Sequence, residues 1–244
     1  MSYRKSSERK EIENNAETIG VTQNQAPNAG VQKKNFAALI FIVIYAYPSL
    51  NSFIPVKGAP GLYLDVLLFS ITPAVCFYSL CRGDPIFRLM LRDGLRRCSF
   101  KNLTVLLMCG ICFAYLYMYT PKYFNGNDEA VGDPASYALQ AWGLMGVFYL
   151  AFSAGVIEEL LYKALLNYAI PWRVGNITFS IISGAVFGAA HLEQGIAAVL
   201  TLILFFGIPS AYFYRVSNNL LGLIIMHFAI DFLLFGRVWA WLYA

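Results

Sequence analysis

The stretch Gly155–Asn167 reads GVIEELLYKALLN and places two adjacent carboxylates, Glu158 and Glu159, in a run that is otherwise as apolar as a membrane span. An ionisable group at the centre of a bilayer costs about 2.5–3.5 kcal/mol on insertion scales, so such groups usually have a function. The chain has only two histidines, His191 and His227, and both lie downstream of the carboxylates. The stretch therefore predicts a polar site that is built inside a membrane.

The composition of the 244-residue chain is that of a membrane protein. Hydrophobic residues make up 58% of it and charged residues 13%, whereas about a quarter of a soluble domain is charged. A net charge of +4 is too small and too scattered to indicate nucleic-acid binding. Successive apolar runs of about 20 residues predict an all-α polytopic membrane helical bundle with about seven transmembrane helices. These predicted spans cover residues 36–54, 62–80, 103–119, 138–168, 176–192, 196–214 and 220–239.

Three regions follow from the pattern of polar and apolar residues. Residues 1–34 are polar and predict a disordered cytoplasmic tail, residues 35–137 carry three spans and a basic amphipathic loop, and residues 138–244 form a four-span core. The basic residues of the loops, Arg215 among them, fall on one side of this arrangement. The positive-inside rule therefore predicts a multi-pass protein of the plasma or inner membrane with a cytoplasmic N-terminus.

The basic loop, residues 83–101, contains several Arg residues within an amphipathic pattern. Basic amphipathic segments beside a membrane span bind anionic lipids, so membrane lipids are expected partners here. A docking site for a protein partner is the alternative interpretation.

Polar residues on three predicted helices recur at helical spacing and at matching depths. Glu159 precedes Lys163 by four residues, and His227 precedes Asp231 by four, which is the spacing of side-chain pairs on a helix. At about 1.5 Å per residue, Glu158 lies roughly 18 Å before the predicted turn near Ile170, and His191 lies roughly 24 Å after it. His227 and Asp231 lie roughly 12 and 18 Å from theirs. We therefore expect these side chains to meet in the bilayer core.

The motifs Glu158-Glu159-x-x-x-Lys163, Phe187-x-x-x-His191 and His227-x-x-x-Asp231 occur in this order. They resemble the three motifs of the CAAX-protease and bacteriocin-processing family of intramembrane endopeptidases, related to the type II CAAX prenyl protease. The resemblance covers about residues 138–235. Lys163 departs from the pattern, since the family motif usually has Arg there, and lysine lacks the bidentate fork of arginine.

The resemblance implies an intramembrane glutamic-type endopeptidase that cuts a membrane-associated protein or peptide, such as a CAAX-like tail, a bacteriocin leader or a C-terminal sorting tail. Glu158, helped by His191, would activate water, and His227 and Asp231 would stabilise the oxyanion. Glu159 would maintain the helix geometry through Lys163. Asp231 would act either in its protonated form or by orienting His227.

Several alternatives remain open at this point. No cofactor is expected, although a divalent metal such as zinc, bound by Glu158, His191 and His227, is the second chemical option; the HExxH spacing of zincins is absent. A non-proteolytic relative, such as a bacteriocin self-immunity or membrane scaffold protein, is the alternative function, and Lys163 favours it. A proton-coupled transporter would also use buried Glu, His and Asp residues.

Overall fold

A computed structural model describes residues 70–124, 142–170 and 174–242 of the chain. The described residues contain helices and no strand. The predicted cytoplasmic tail and the first predicted span, residues 36–54, lie outside the described residues.

The helices are numbered here in chain order, and two of them continue into π-helical segments, π1 and π2. Their bounds are α1 Thr72–Gly83, α2 Pro85–Arg96, α3 Phe100–Phe124, α4 Leu144–Glu159, π1 Leu160–Leu165, α5 Leu166–Ala169, α6 Asn176–Ala189, a short 3₁₀ helix Leu192–Gln194, α7 Ile196–Thr201, π2 Leu202–Gly207, α8 Ile208–Ser217 and α9 Leu220–Leu242.

Three helical runs are long and apolar enough to cross a membrane, namely Phe100–Tyr117, Leu144–Ala169 and Ile196–Ser217. Two shorter apolar helices, Asn176–Ala189 and Leu220–Phe235, coincide with two other predicted spans. The all-helical class is confirmed for the described residues, three runs of which are able to cross a membrane by length and composition. The total of seven spans stays a prediction, since the second predicted span is described only from residue 70.

Helix α9 forms the centre of the bundle and packs along α4 and α3, while α6 packs along α8 and π2. Glycine permits the closest of these approaches. A Cβ atom on Gly155 would lie 2.9 Å from the backbone nitrogen of Phe228, and one on Gly184 would lie 2.9 Å from the backbone nitrogen of Ile208. Small residues let transmembrane helices approach closely in this way. Gly184 thus allows α6 and α8 to pack closely.

The π1 segment lies in the interior, with residues 161–165 all buried. A π-helix replaces the usual backbone hydrogen bonds by bonds to the fifth residue back, and such segments occur frequently at functional sites. The hydroxyl of Ser183 on α6 donates a hydrogen bond of 2.6 Å to the Tyr162 carbonyl of this segment. The irregular backbone is therefore tied to the neighbouring helix.

Arg215, at the end of α8, is buried rather than exposed as a loop charge. Its guanidinium group donates to the side-chain oxygen of Asn167 and, over 3.1 Å, to the carbonyl of Val174. It also lies 4.7 Å from the ring centroid of Phe179. Its donors connect α8 to α5 and to Val174, just before α6.

Gly155→Ala tests the contact between α4 and α9. The added methyl group would meet backbone atoms of Phe228 and Ile224, which cannot rotate away, and overpacking of this kind typically costs about 1–3 kcal/mol. We expect a lower midpoint of thermal unfolding in detergent, measured by circular dichroism. Gly83→Ala is the matched control, because nothing lies within 4 Å of its Cβ position. An unchanged midpoint for Gly155→Ala would contradict the close contact.

Candidate active site

His227 on α9 and Glu159 at the end of α4 form a buried hydrogen bond, with 2.9 Å between Nδ1 and Oε1. The Glu159 side chain is 0% exposed and that of His227 is 6% exposed. Because a carboxylate oxygen accepts, Nδ1 of His227 carries the proton in this bond. The bond fixes the orientation of the ring and directs Nε2 to the other side, as carboxylate partners of functional histidines do.

Glu158, the neighbouring carboxylate, lies close to both histidines. Its Oε2 atom is 3.7 Å from Nε2 of His227 and 3.9 Å from Nε2 of His191. This oxygen is buried and makes no hydrogen bond with any residue that the structure describes. A polar pair separated by more than 3.5 Å is often bridged by a water molecule. The arrangement suits a water bound between Glu158 and His191.

His191 follows the end of α6, and its Nδ1 lies 2.9 Å from the carbonyl oxygen of Phe187. A carbonyl can only accept, so Nδ1 of His191 carries the proton. In the neutral ring, Nε2 then has a free electron pair and faces Glu158. Both histidines are therefore oriented by an acceptor on Nδ1, and both present Nε2 to the same carboxylate.

Asp231 lies one turn after His227 on α9. Its Oδ2 atom is 3.6 Å from Nε2 of His227, and its side chain is 15% exposed. Nε2 of His227 is thus placed between two carboxyl groups, those of Glu158 and Asp231. The structure brings together all five predicted site residues, while their catalytic roles stay predictions.

Two phenylalanines form an aromatic wall behind the histidines. The Phe187 ring lies 4.7 Å from the ring of His191, the Phe206 ring lies 4.7 Å from that of His227, and the two phenylalanine rings are 5.3 Å apart. Phe187 belongs to the predicted second motif. Phe206 was missed, because its place in π2 carries no polar or periodic signal that distinguishes it from its apolar neighbours.

Lys163 contacts this wall instead of forming the predicted direct pair with Glu159. Its Nζ atom is 5.0 Å from the centroid of Phe187, and it makes no hydrogen bond with a described residue. The expected pair fails because Glu159 is directed to His227 on α9, whereas the lysine points between α6 and π2. The ammonium group still interacts with both glutamates at longer range, and its close contacts are cation–π contacts.

A metal ion bound by Glu158, His191 and His227 stays the second chemical option. Among the described residues, no group of three or more His, Cys, Asp or Glu side chains is arranged to hold a metal ion. In both rings Nδ1 has an oxygen acceptor, and Nε2 faces Glu158.

The proton positions can be tested by nitrogen-15 NMR of the histidine-labelled protein, since the chain has only two imidazole rings. We expect Nδ1 to carry a proton in both, because both bond to acceptors. Glu159→Leu should shift the His227 signals and leave those of His191 nearly unchanged. An unprotonated Nδ1 in either ring of the wild type would contradict the geometry. Equal shifts of both rings in the variant would contradict it as well.

Comparison with known proteins identifies the segment that contains the site. Residues 140–233 match the family model described as type II CAAX prenyl endopeptidase Rce1-like. No curated protein and no solved structure matches the chain. The matched segment extends from just before α4 into α9 and contains both glutamates, both histidines and Asp231. Over this segment the chain is similar to the Rce1-like type II CAAX prenyl endopeptidases, a family of proteases, and its long apolar helices are those of an integral membrane protein.

Proposed function

We propose that this protein is an intramembrane endopeptidase of the glutamic type, with residues 138–244 as its catalytic core. The observation that supports this most directly is the position of Glu158 Oε2, 3.9 Å from Nε2 of His191 and 3.7 Å from Nε2 of His227. One carboxylate thus faces two imidazoles, each of which is oriented by a fixed acceptor. General acid–base catalysis requires groups that are positioned in this way.

Water activation is the first step that we assign. A water molecule held between Glu158 and His191 donates its proton to Oε2 of Glu158, and its oxygen atom attacks the carbonyl carbon of the peptide bond. The free electron pair on Nε2 of His191 accepts a hydrogen bond from the same water and orients it. Neither residue needs to move for this step, because each is already within reach of one water molecule.

We assign the stabilisation of the oxyanion to His227. As the carbonyl becomes tetrahedral, negative charge develops on its oxygen atom, and a protonated Nε2 of His227 donates a hydrogen bond to it. Asp231, 3.6 Å from this nitrogen, orients the ring or, if protonated, donates a second hydrogen bond. Glu159 keeps the ring in place through Nδ1.

Collapse of the tetrahedral intermediate completes the reaction. The carbon–nitrogen bond breaks, the carbonyl re-forms, and Glu158 returns the proton that it took from water to the leaving amine. The products are a peptide with a new carboxylic acid, which keeps the second proton of the water, and a peptide with a new amine. The site ends the cycle with its original charges.

The substrate class that we propose is a membrane-associated protein or peptide that is cut near its C-terminus. The candidate site lies among helices that are apolar enough to span a membrane, so a substrate reaches it from the lipid or from the membrane surface. A tail that carries a lipid group fits this route and also fits the description of the matched family.

Glu158→Gln tests the role of the carboxylate, because the amide has the same shape but cannot accept a proton. A positioned general base contributes about 10²–10⁴-fold, and we expect cleavage of a farnesylated CAAX peptide in proteoliposomes to slow by about 10³-fold. His191→Ala should slow it by about 10²-fold. Rates are measured by mass spectrometry of the released C-terminal fragment.

Ser153→Ala is the control for this series. The Ser153 hydroxyl donates to the carbonyl of Leu150 within the same helix, so its removal should leave the rate unchanged. The unprenylated peptide tests whether the lipid group matters. Wild-type activity in Glu158→Gln would refute the glutamic mechanism. Absence of cleavage by the wild type would favour a non-proteolytic relative.

Chelation distinguishes the proposed mechanism from one that uses a metal. We expect 1,10-phenanthroline and EDTA to leave the cleavage rate within about twofold of the untreated rate, because Glu158 and the imidazoles supply the base and the oxyanion donor. Loss of activity on chelation, with recovery on adding zinc, would replace this mechanism by metal-assisted hydrolysis.

A further inference from the structure

The amphipathic helix α2 lies across one end of the bundle. Its Gly94 is so close to the turn between α8 and α9 that a Cβ atom there would lie 3.1 Å from Cβ of Leu220. At its other end, Asp84 accepts a 2.6 Å hydrogen bond from the hydroxyl of Tyr168, and Phe87 packs edge-on against the same ring. The helix is thus fixed where α5 and α8 end and α9 begins.

This position coincides with a boundary of the membrane. The spans Leu144–Ala169 and Ile196–Ser217 end beside α2, and the span Phe100–Tyr117 begins four residues after α2 ends. Asp84 caps the helix by accepting from the backbone nitrogens of Ile86 and Phe87, and Pro85 occupies its first turn. A capped helix that runs across the ends of spanning helices lies in the headgroup region.

The outward side of α2 carries two neighbouring strips of different chemistry. Arg88, Arg92 and Arg96 recur every four residues and are all exposed, so they share one face of the helix. Ile86 and Leu89 form the second strip and are 66% and 50% exposed. Basic groups next to exposed apolar groups are the arrangement by which helices lie on a charged membrane surface.

Few charges on the described part of the chain oppose the arginines. Arg92 lies 4.0 Å from Asp93, with both side chains largely exposed, which makes this a weak surface pair. Arg88 and Arg96 form no ion pair with a residue that the structure describes. Pro85, Arg88, Leu89 and Arg92 line an open cavity of about 220 Å³, so guanidinium and apolar groups face the same space.

We propose that α2 is a binding surface for anionic phospholipid headgroups. The phosphate is held by Arg88 and Arg92, whose planar donors suit a phosphate group, and Arg96 extends the positive strip. Ile86 and Leu89 contact the first part of the acyl chains. A soluble phosphate compound would use the arginines but not the apolar strip, and an acidic protein would have to approach at the level of the lipid.

The consequence is that anionic lipid binds at the end of the helices that carry the site. Tyr168 follows Glu158 and Glu159 on the same continuous helical run and contacts α2 directly. The surface also fits a cytoplasmic leaflet, where anionic lipids attract basic segments next to spans. The proposal does not rest on proteolytic activity.

The test uses the full chain, purified in a neutral detergent and mixed with equal amounts of phosphatidylglycerol and phosphatidylcholine that have identical acyl chains. Native mass spectrometry counts the lipids that each protein retains. We expect the wild type to prefer phosphatidylglycerol. The triple variant Arg88→Gln, Arg92→Gln and Arg96→Gln should lose this preference by roughly tenfold, because basic residues near the surface each contribute to anionic-lipid attraction.

The matched control is Arg4→Gln, Lys5→Gln and Lys10→Gln, which removes the same number of positive charges from the N-terminal region and should keep the wild-type preference. The triple variant Arg88→Lys, Arg92→Lys and Arg96→Lys keeps the preference if charge alone suffices and loses it if the guanidinium fork is needed. Equal retention of both lipids by the wild type would overturn the proposal, as would an equal loss in the control variant. Displacement of the lipid by millimolar glycerol phosphate would assign the arginines to a soluble phosphate compound instead.

Discussion

The buried hydrogen bond between Glu159 and His227, 2.9 Å long, is the contact on which the rest of the site depends. It joins α4 to α9. It also orients the imidazole ring so that Nε2 is directed toward Glu158 and Asp231. A charged or polar pair without access to water is stable only when its geometry is well satisfied. Gly155 has no side chain, so α4 and α9 approach closely enough for this bond to form.

Much of the site follows from the sequence because helical spacing and membrane depth are strong constraints. An apolar run of fixed rise places Glu158, His191 and His227 at overlapping depths, so their convergence could be predicted without knowing the packing. The direction of each side chain could not. Lys163 illustrates the limit: the spacing of four residues is that of a pair with Glu159, yet the carboxylate is taken by a histidine on another helix and the ammonium group lies over Phe187.

The parts that the sequence did not reveal share a physical cause. The π-helical segments arise from tertiary contacts, such as the bond from Ser183 to the Tyr162 carbonyl, and apolar periodicity does not distinguish them from α-helix. Phe206 lies in one of these segments and contacts His227 only because π2 packs beside α6. By its position Arg215 follows a predicted span, as a loop residue does. Its side chain is nevertheless buried, because it donates to Asn167 and to the carbonyl of Val174.

The order in which the chain is synthesised determines when the contacts of Arg215 can form. Tyr168 bonds Asp84, which is made before it, whereas Asn167 bonds Arg215, which is made 48 residues later. The far end of the helical run that carries both glutamates thus meets Arg215 only after α8 has been made. Until then Asn167 lacks the guanidinium group that satisfies its oxygen atom. The chain therefore makes Arg215, the partner of Asn167, before it makes His227, the partner of Glu159.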